Sequence, residues 1–81
     1  MRRYFFDMLD DETVIPDDEG LMLTSWEAVQ RETAKALADL ARDEVTQFFY
    51  NERPRKLAID VRDEHGPLLR ATLCFEIKRL Q

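Results

Sequence analysis

The sequence has little of the material from which most catalytic and metal sites are built. Its 81 residues include one cysteine, one histidine and two glycines. A single cysteine cannot form a disulfide within the chain, which favours a reducing compartment. The sequence contains no glycine-rich phosphate loop, no paired-cysteine metal motif and no Ser/His/Asp set. These shortages predict a protein that is not an enzyme and that binds no cofactor and no metal.

Basic residues are also in the minority. Asp and Glu number 17 against 12 Lys and Arg, so the net charge is −5. Nucleic acids and anionic membrane surfaces both require a basic protein surface, and we expect neither as a partner. The apolar run 4–6 ends at Asp7, too early for a signal peptide, and no run has the length of a membrane span. We therefore expect a cytoplasmic protein.

One long amphipathic segment occupies the middle of the chain. Residues 24–49 contain no Gly or Pro and are rich in good helix formers. Thr24 and Glu27 have the spacing of a capping box, which predicts that the helix starts there. Residues suited to a core recur at spacings of three and four on one side. This predicted stripe consists of Trp26, Val29, Thr33, Leu37, Leu40, Ala41 and Phe48.

Glu44 lies on the same side of the predicted helix, one turn before Phe48. We expect the helix to have passed the edge of the sheet at this point, so that the carboxylate reaches water. The alternative is a buried carboxylate with a functional role.

The segments that flank the helix alternate with a period of two, which is typical of strands. The predicted strands are 3–9, 13–15, 57–62 and 69–78. Turns are predicted at 17–20 and 63–66, where Gly20 and Gly66 tolerate a positive φ. The side chains predicted to face the helix are Tyr4, Phe6, Met8, Leu57, Ile59, Val61, Leu69, Ala71, Leu73, Phe75 and Ile77.

These elements predict an α+β fold with the order β-β-α-β-β. One long helix packs on one face of a four-stranded antiparallel sheet, and residues 1–81 form a single domain. The helix length of about 35–40 Å matches a last strand of about 33 Å, so one helix is long enough to cover that face.

No element remains to cover the second face of the sheet. Phe5, Ala58, Thr72 and Cys74 are predicted there, within a border of charged residues. Such a mixed face is typical of an interface, and small domains gain stability by association. We expect a homodimer through this face. The alternatives are strand addition at a sheet edge and a monomer with a solvated face.

The remaining polar groups carry weaker hypotheses. The acidic turns 10–12 and 17–20 lack the ligand spacing of a calcium loop, so we expect solvated turns. His65 has no neighbouring ligand or nucleophile, and Cys74 is expected to pack or to lie in an interface. A small basic patch, suited to solubility or to contact with an acidic group, is predicted from Arg53, Arg55 and Lys56, with Arg2 and Arg3 close by.

Four local signatures occur together in this chain. They are Arg3-Tyr4-Phe5-Phe6-Asp7, Asp18-Glu19-Gly20, Trp26-Glu27-Ala28 and Val61-Arg62-Asp63-Glu64-His65-Gly66. With them the chain resembles, over nearly its whole length, a family of short bacterial proteins described as a domain of unknown function. The signatures mark strands, turns and a helix start, so the resemblance implies a fold and no activity.

A fainter likeness in topology is to the HicB-type antitoxins, which also pack a helix on an antiparallel sheet. We therefore carry three hypotheses. The first is a non-enzymatic protein–protein interaction or regulatory domain, and the second is an antitoxin-like neutraliser of a small basic toxin. The third, an enzyme or small-ligand module, requires a deep polar pocket for which so small a fold has little volume.

Overall fold

The computed structural model describes residues 1–11, 13–48 and 54–81, with the side chains of 45–48 left out. Within these ranges the element order is β-β-β-α-β-β. The elements are β1 (Arg2–Asp10), β2 (Thr13–Ile15), β3 (Leu21–Leu23), α1 (Trp26–Phe48), β4 (Arg55–Asp63) and β5 (Gly66–Phe75). The predicted α+β fold, with one helix packed on an antiparallel sheet, is confirmed.

The sheet contains one strand more than the sequence predicts. Its order is β2-β1-β4-β5, and β3 also pairs with β1. β2 pairs with residues 8–10 of β1 and β3 pairs with residues 2–4, so both short strands lie along the same edge of β1. Residues 16–20 form the loop between them. The sequence conceals β3 because its three residues, Leu21–Leu23, are all apolar and show no alternation.

The core forms where the predicted strand faces meet the helix stripe. Tyr4, Val29 and Leu40 are buried against Leu57, Ile59 and Val61 of β4. Full burial of an aliphatic side chain of this size is worth about 1.5–3 kcal/mol. β4 supplies three of the four largest fully buried side chains because it lies between two long strands and beneath α1.

The helix begins one residue later than the predicted capping box requires. Ser25 is the cap, because its Oγ accepts the N–H of Ala28 at 3.1 Å and its carbonyl accepts that of Val29 at 3.1 Å. Glu27 then lies in the first turn, where a carboxylate favours the helix dipole. Thr24 directly follows β3, and the chain turns into the helix only after it.

The predicted helix stripe is buried in the middle and open at its start. Thr33 is buried and its hydroxyl donates to the Val29 carbonyl at 2.7 Å, which satisfies a polar group inside the core. Trp26 is 50% exposed, so it flanks the core instead of filling it. The side chain of Phe48 and the predicted helix end at residue 49 lie outside the described residues.

The last strand ends at Phe75, earlier than the predicted residue 78. Phe75 is opposite Arg55, the first residue of β4, so β5 there reaches the end of its partner. Ile77 was predicted to face the core and is 51% exposed. Gly20 and Gly66 have φ of 75° and 123°, as the turn predictions require.

Candidate functional site

The outer side of β5 is the longest open edge of the sheet. Among the described residues, no strand pairs with that side. β5 runs for ten residues and carries a single charged side chain, Arg70; a register shift and Pro67 interrupt its start, and the stretch from Leu69 to Phe75 is regular. Proteins usually protect such an edge with charges, bulges or a covering loop, because its free N–H and C=O groups attract other strands. The edge is therefore suited to pairing with a further strand.

A shallow apolar groove runs beside this edge. It has a volume of about 410 Å³ and lies between α1 and β5. Its apolar lining consists of Trp26, Ala34, Leu37, Leu69 and Ala71. Leu73, two residues after Ala71 on the same face of β5, is 37% exposed. The groove places apolar side chains next to unpaired backbone, a combination that fits an added strand or helix.

The opposite edge is closed by its own loop. β2 and β3 leave the middle of β1 unpaired, and Asp17 fills the gap: its Oδ2 accepts the Phe6 N–H at 3.1 Å. Its other oxygen, Oδ1, accepts the N–H groups of Glu19 and Gly20, both at 3.1 Å. The Asp17 N–H in turn donates to Asp7 at 2.9 Å. The Asp17 side chain thus supplies the Phe6 N–H with the acceptor that a paired strand would otherwise provide, and it also holds the loop together.

These contacts set the protonation of Asp17. Partial burial would raise the pKa of its carboxyl, but the N–H donors of Phe6, Gly20 and Glu19, together with the charge of Arg62, outweigh burial and hold the pKa below its ordinary value. The loop is therefore held by an ionised carboxylate at neutral pH.

The uncovered face of the sheet carries a row of ion pairs. Arg62 Nε donates to Asp7 at 2.9 Å, and its guanidinium carbon lies 4.5 Å from the centre of the Phe5 ring. Arg70 donates two hydrogen bonds to the Asp60 carboxylate on the neighbouring strand. The hydrogen bond from Arg70 lowers the pKa of Asp60 against its partial burial. This face is therefore more polar than its apolar members alone suggest.

A second ionic cluster closes one end of the core. Arg55 is buried and forms ion pairs with Asp10 and, at 3.0 Å, with Glu44. Its Nε lies 3.2 Å from Asp11 Oδ2 but is not aligned for a hydrogen bond. Asp10 raises the pKa of Glu44, burial adds to this effect, and Arg55 opposes it without cancelling it. The cluster ties β1, β4 and α1 together.

Glu44 lies between the two alternatives that the sequence offered. Its side chain is 24% exposed, so it reaches water in part, and its carboxylate is bound to Arg55. The helix pattern alone does not identify the partner of Glu44, because Arg55 and Asp10 lie in β4 and β1. A signal was present in one respect, since an acidic residue on an apolar helix stripe requires a cationic partner or water.

The predicted basic patch does not form from the residues described. Arg55 is enclosed by carboxylates, and Arg53 lies outside the described residues. Arg2 lies 3.5 Å from Asp63 and Arg3 donates to the Glu19 carbonyl at 2.6 Å, both at the other end of β1 from Asp10. The antiparallel pairing of β1 with β4 separates the two groups of basic residues.

The acidic turns are also more than solvated loops. Asp10 and Asp11 form ion pairs with Arg55, and Asp17 holds the loop 16–20 against β1. In the parts of the chain with described coordinates, no group of three or more His, Cys, Asp and Glu is arranged to hold a metal ion. His65 is exposed in the β4–β5 turn, where its backbone N–H donates to the Asp63 carboxylate at 2.8 Å.

The four residues predicted to form an interface differ in exposure. Thr72 and Cys74 are exposed on β5, Phe5 is half-buried beneath Arg62, and Ala58 is only 3% exposed. Register places Ala58 between Leu9 and Thr72 on the uncovered face, as predicted. Whether these residues meet a partner stays a prediction.

No helix in the described ranges is long and apolar enough to cross a membrane.

Comparison with known proteins gives a family and no activity. No curated protein and no solved structure matches the chain. Residues 3–74 match the domain of unknown function DUF6894. That match covers the helix and the sheet described above except the first residue of β1 and the last residue of β5. The chain belongs to the DUF6894 family, as the resemblance of its strand, turn and helix-start signatures implied.

Proposed function

We propose that this protein is a non-enzymatic protein–protein interaction domain that forms a homodimer by strand addition at β5. The observation that carries the proposal is the contrast between a ten-residue edge strand with one charged side chain and the short, loop-covered strands at the other edge. The α1–β5 groove supports it, since a strand added to β5 covers the apolar side chains beside it.

The uncovered sheet face is a second route to the same dimer, and it was the one favoured by the sequence. The geometry favours the edge over the face for an energetic reason. A face-to-face contact buries the Arg62–Asp7 and Arg70–Asp60 pairs, and removing such charges from water costs free energy that their attraction repays only in part. Strand addition leaves these pairs at the surface.

A non-enzymatic role fits the use that the protein makes of its charges. The buried Arg55 and the partly buried Asp17 are engaged in ion pairs and backbone hydrogen bonds that hold strands and loop in place. We also propose that the protein is cytoplasmic. Its single cysteine, Cys74, is an exposed free thiol, and such thiols are typical of a reducing compartment.

Light scattering coupled to size exclusion tests the dimer. At tens of micromolar we expect twice the chain mass of 9.6 kDa. Leu73→Lys places a charge in the β5 interface and is expected to give monomers. Phe5→Lys changes the uncovered face and is expected to leave the dimer intact. Chain mass at every concentration would contradict the dimer, and a dimer split only by Phe5→Lys would assign it to the face.

A further inference from the structure

The register of the proposed dimer follows from the charge on β5 and the charges on the residues that follow it, 76–78, which extend the strand when the copies pair. We propose that a second copy of the chain pairs antiparallel with β5 about a two-fold axis that passes through Leu73. Arg70 of each copy then faces Glu76 of the partner copy. This inference rests on the proposed function, and it adds which residues meet.

Backbone geometry limits where the axis can lie. In an antiparallel pair, successive residues alternate between pointing both N–H and C=O at the partner and pointing both away. Alternate residues of β5 use these groups on β4, so only the others can bond to a new strand. In a two-fold dimer, the outward residues of one β5 lie opposite the outward residues of the other only when the axis passes through a residue position. An axis between two residues would place outward residues opposite inward ones.

Charge then selects among the residue positions from the middle of the strand to its end. With the axis at Arg70 the two Arg70 side chains face each other, and with the axis at Ala71 each Arg70 faces the neutral Thr72. With the axis at Thr72, Arg70 faces Cys74 of the other copy, and with the axis at Cys74 it faces Lys78, a like charge. With the axis at Leu73 it faces Glu76, and symmetry makes this favourable pair twice. Opposite charges across a strand pair stabilise it and like charges destabilise it.

Both partners of this pair are available for it. The bidentate bond to Asp60 fixes the Arg70 guanidinium and uses two of its five N–H donors. Within the described residues, Glu76 forms an ion pair with Lys78 alone, at 3.6 Å, and an exposed contact of this kind is worth little. The Arg70–Asp60 pair thus presents free donors beside the open edge.

The same register covers apolar surface. Leu73 meets its own copy, and Leu69 meets Ile77, which is 51% exposed in the single chain. Leu69 and Leu73 lie on the helix side of β5, as do the grooves, and alternation puts Ile77 on that side once the strand extends past Phe75. Because the axis is perpendicular to the sheet, both helices lie on one face, and the two grooves join beneath them into one apolar strip.

Cysteine cross-linking tests the register directly. With the axis at Leu73, residue 72 of one copy lies opposite residue 74 of the other, within the Cα separation that a disulfide allows. Thr72→Cys, which keeps native Cys74, is therefore expected to form a covalent dimer under mild oxidation. The unchanged protein and the double variant Thr72→Cys/Cys74→Ser each carry one cysteine, and both are expected to remain non-covalent. Peptide mapping should find the 72–74 link between chains.

The other outcomes separate this inference from the function. Rapid cross-linking of the unchanged protein places the axis at Cys74, and cross-linking of Thr72→Cys/Cys74→Ser places it at Thr72. Either result overturns the register and leaves the edge dimer standing. A dimer by light scattering that no variant cross-links also overturns it, and a monomer at all concentrations removes the proposed function as well.

A charge exchange gives an independent measurement. Glu76→Lys turns two attractive contacts into two repulsive ones and is expected to weaken the dimer about tenfold or more. Asp18→Lys makes the same change of charge in an exposed residue of the opposite edge and is expected to have little effect. Equal weakening by both variants would show that net charge, and not the Arg70–Glu76 contact, is responsible.

Discussion

The two edges of the sheet are built in opposite ways. At one edge, two strands of three residues each share β1, and the loop between them carries the carboxylate of Asp17 into the gap. At the other, β5 continues for ten residues beside an apolar groove. Among the described residues, the chain covers the first edge itself and adds no strand to the second. The proposed dimer uses that second edge.

The protected edge depends on a close approach of backbone to side chain. A Cβ on Gly20 would lie 2.9 Å from Arg3 Cγ and 3.0 Å from the Phe5 ring, and its φ of 75° is unfavourable for other residues. Glycine therefore permits the loop to fold down onto β1, where Asp17 reaches the Phe6 N–H. Gly66 also has a positive φ, but open space surrounds it.

The largest expected effect comes from a cavity in the core beneath the central strand β4, which supports both edges of the sheet. Ile59→Ala on the central strand β4 leaves a cavity at a fully buried position and should destabilise the protein by about 2–5 kcal/mol. Thr72→Ala, exposed on β5, should cost far less. Denaturant unfolding monitored by Trp26 fluorescence measures both. Equal losses would mean that the two faces of the sheet are not distinct.

Asp17→Ala should open the protected edge. It leaves three backbone N–H groups without their acceptor, and we expect a loss of about 2–3 kcal/mol, since hydrogen bonds to charged groups are among the stronger ones. Asp18→Ala in the same loop is the matched control and should change stability by less than about 0.5 kcal/mol. Similar values for both variants would show that the loop adds nothing to that edge.

The sequence predicts the parts of this fold that depend on period and fails where long-range contacts decide. The alternation around Tyr4 and Ile59 gives the correct inward faces, because burial on one side enforces a period of two. Asp17 is different: it belongs to a turn in sequence and becomes a substitute for ladder hydrogen bonds only once β1 lies beside it. No local pattern records that contact.

The candidate site is divided in the same manner. An exposed Thr72 and Cys74 follow from the alternation of the last strand. That β5 is an edge strand follows only from the strand order, which the sequence does not provide. Arg55 shows the reverse error, because a cation beside Lys56 suggests a surface patch until Asp10 and Glu44 are brought around it.

Hydrogen exchange should separate the two edges by concentration. The outward amides of β5 are open in a single chain and paired in the dimer, so their exchange should slow by about tenfold or more between dilute and concentrated samples. The amide of Phe6, bonded to Asp17, should exchange at one rate at both concentrations. A concentration-dependent change at Phe6 with none in β5 would reverse the assignment of the edges.

The smallest expected effect is a difference in acid sensitivity. The pKa of Asp17 is lowered in the folded protein because its N–H donors and Arg62 outweigh burial, and that of Asp60 because Arg70 bonds to it. Between the folded and unfolded pKa values the unfolded chain binds more protons, so stability present above the ordinary carboxylate pKa of about 4 is lost as the pH falls through the folded values. Asp17→Asn and Asp60→Asn should each flatten this loss.

Glu44 supplies a control of opposite sign. The nearby Asp10 and burial raise its pKa, so the stability that it contributes is present below its ordinary pKa and is lost as the pH rises through the folded value. Glu44→Gln should therefore steepen the net acid loss in urea melts, whereas Asp17→Asn should flatten it. If all three variants change the profile in the same direction, overall charge governs the acid response, and the individual contacts of these carboxylates do not.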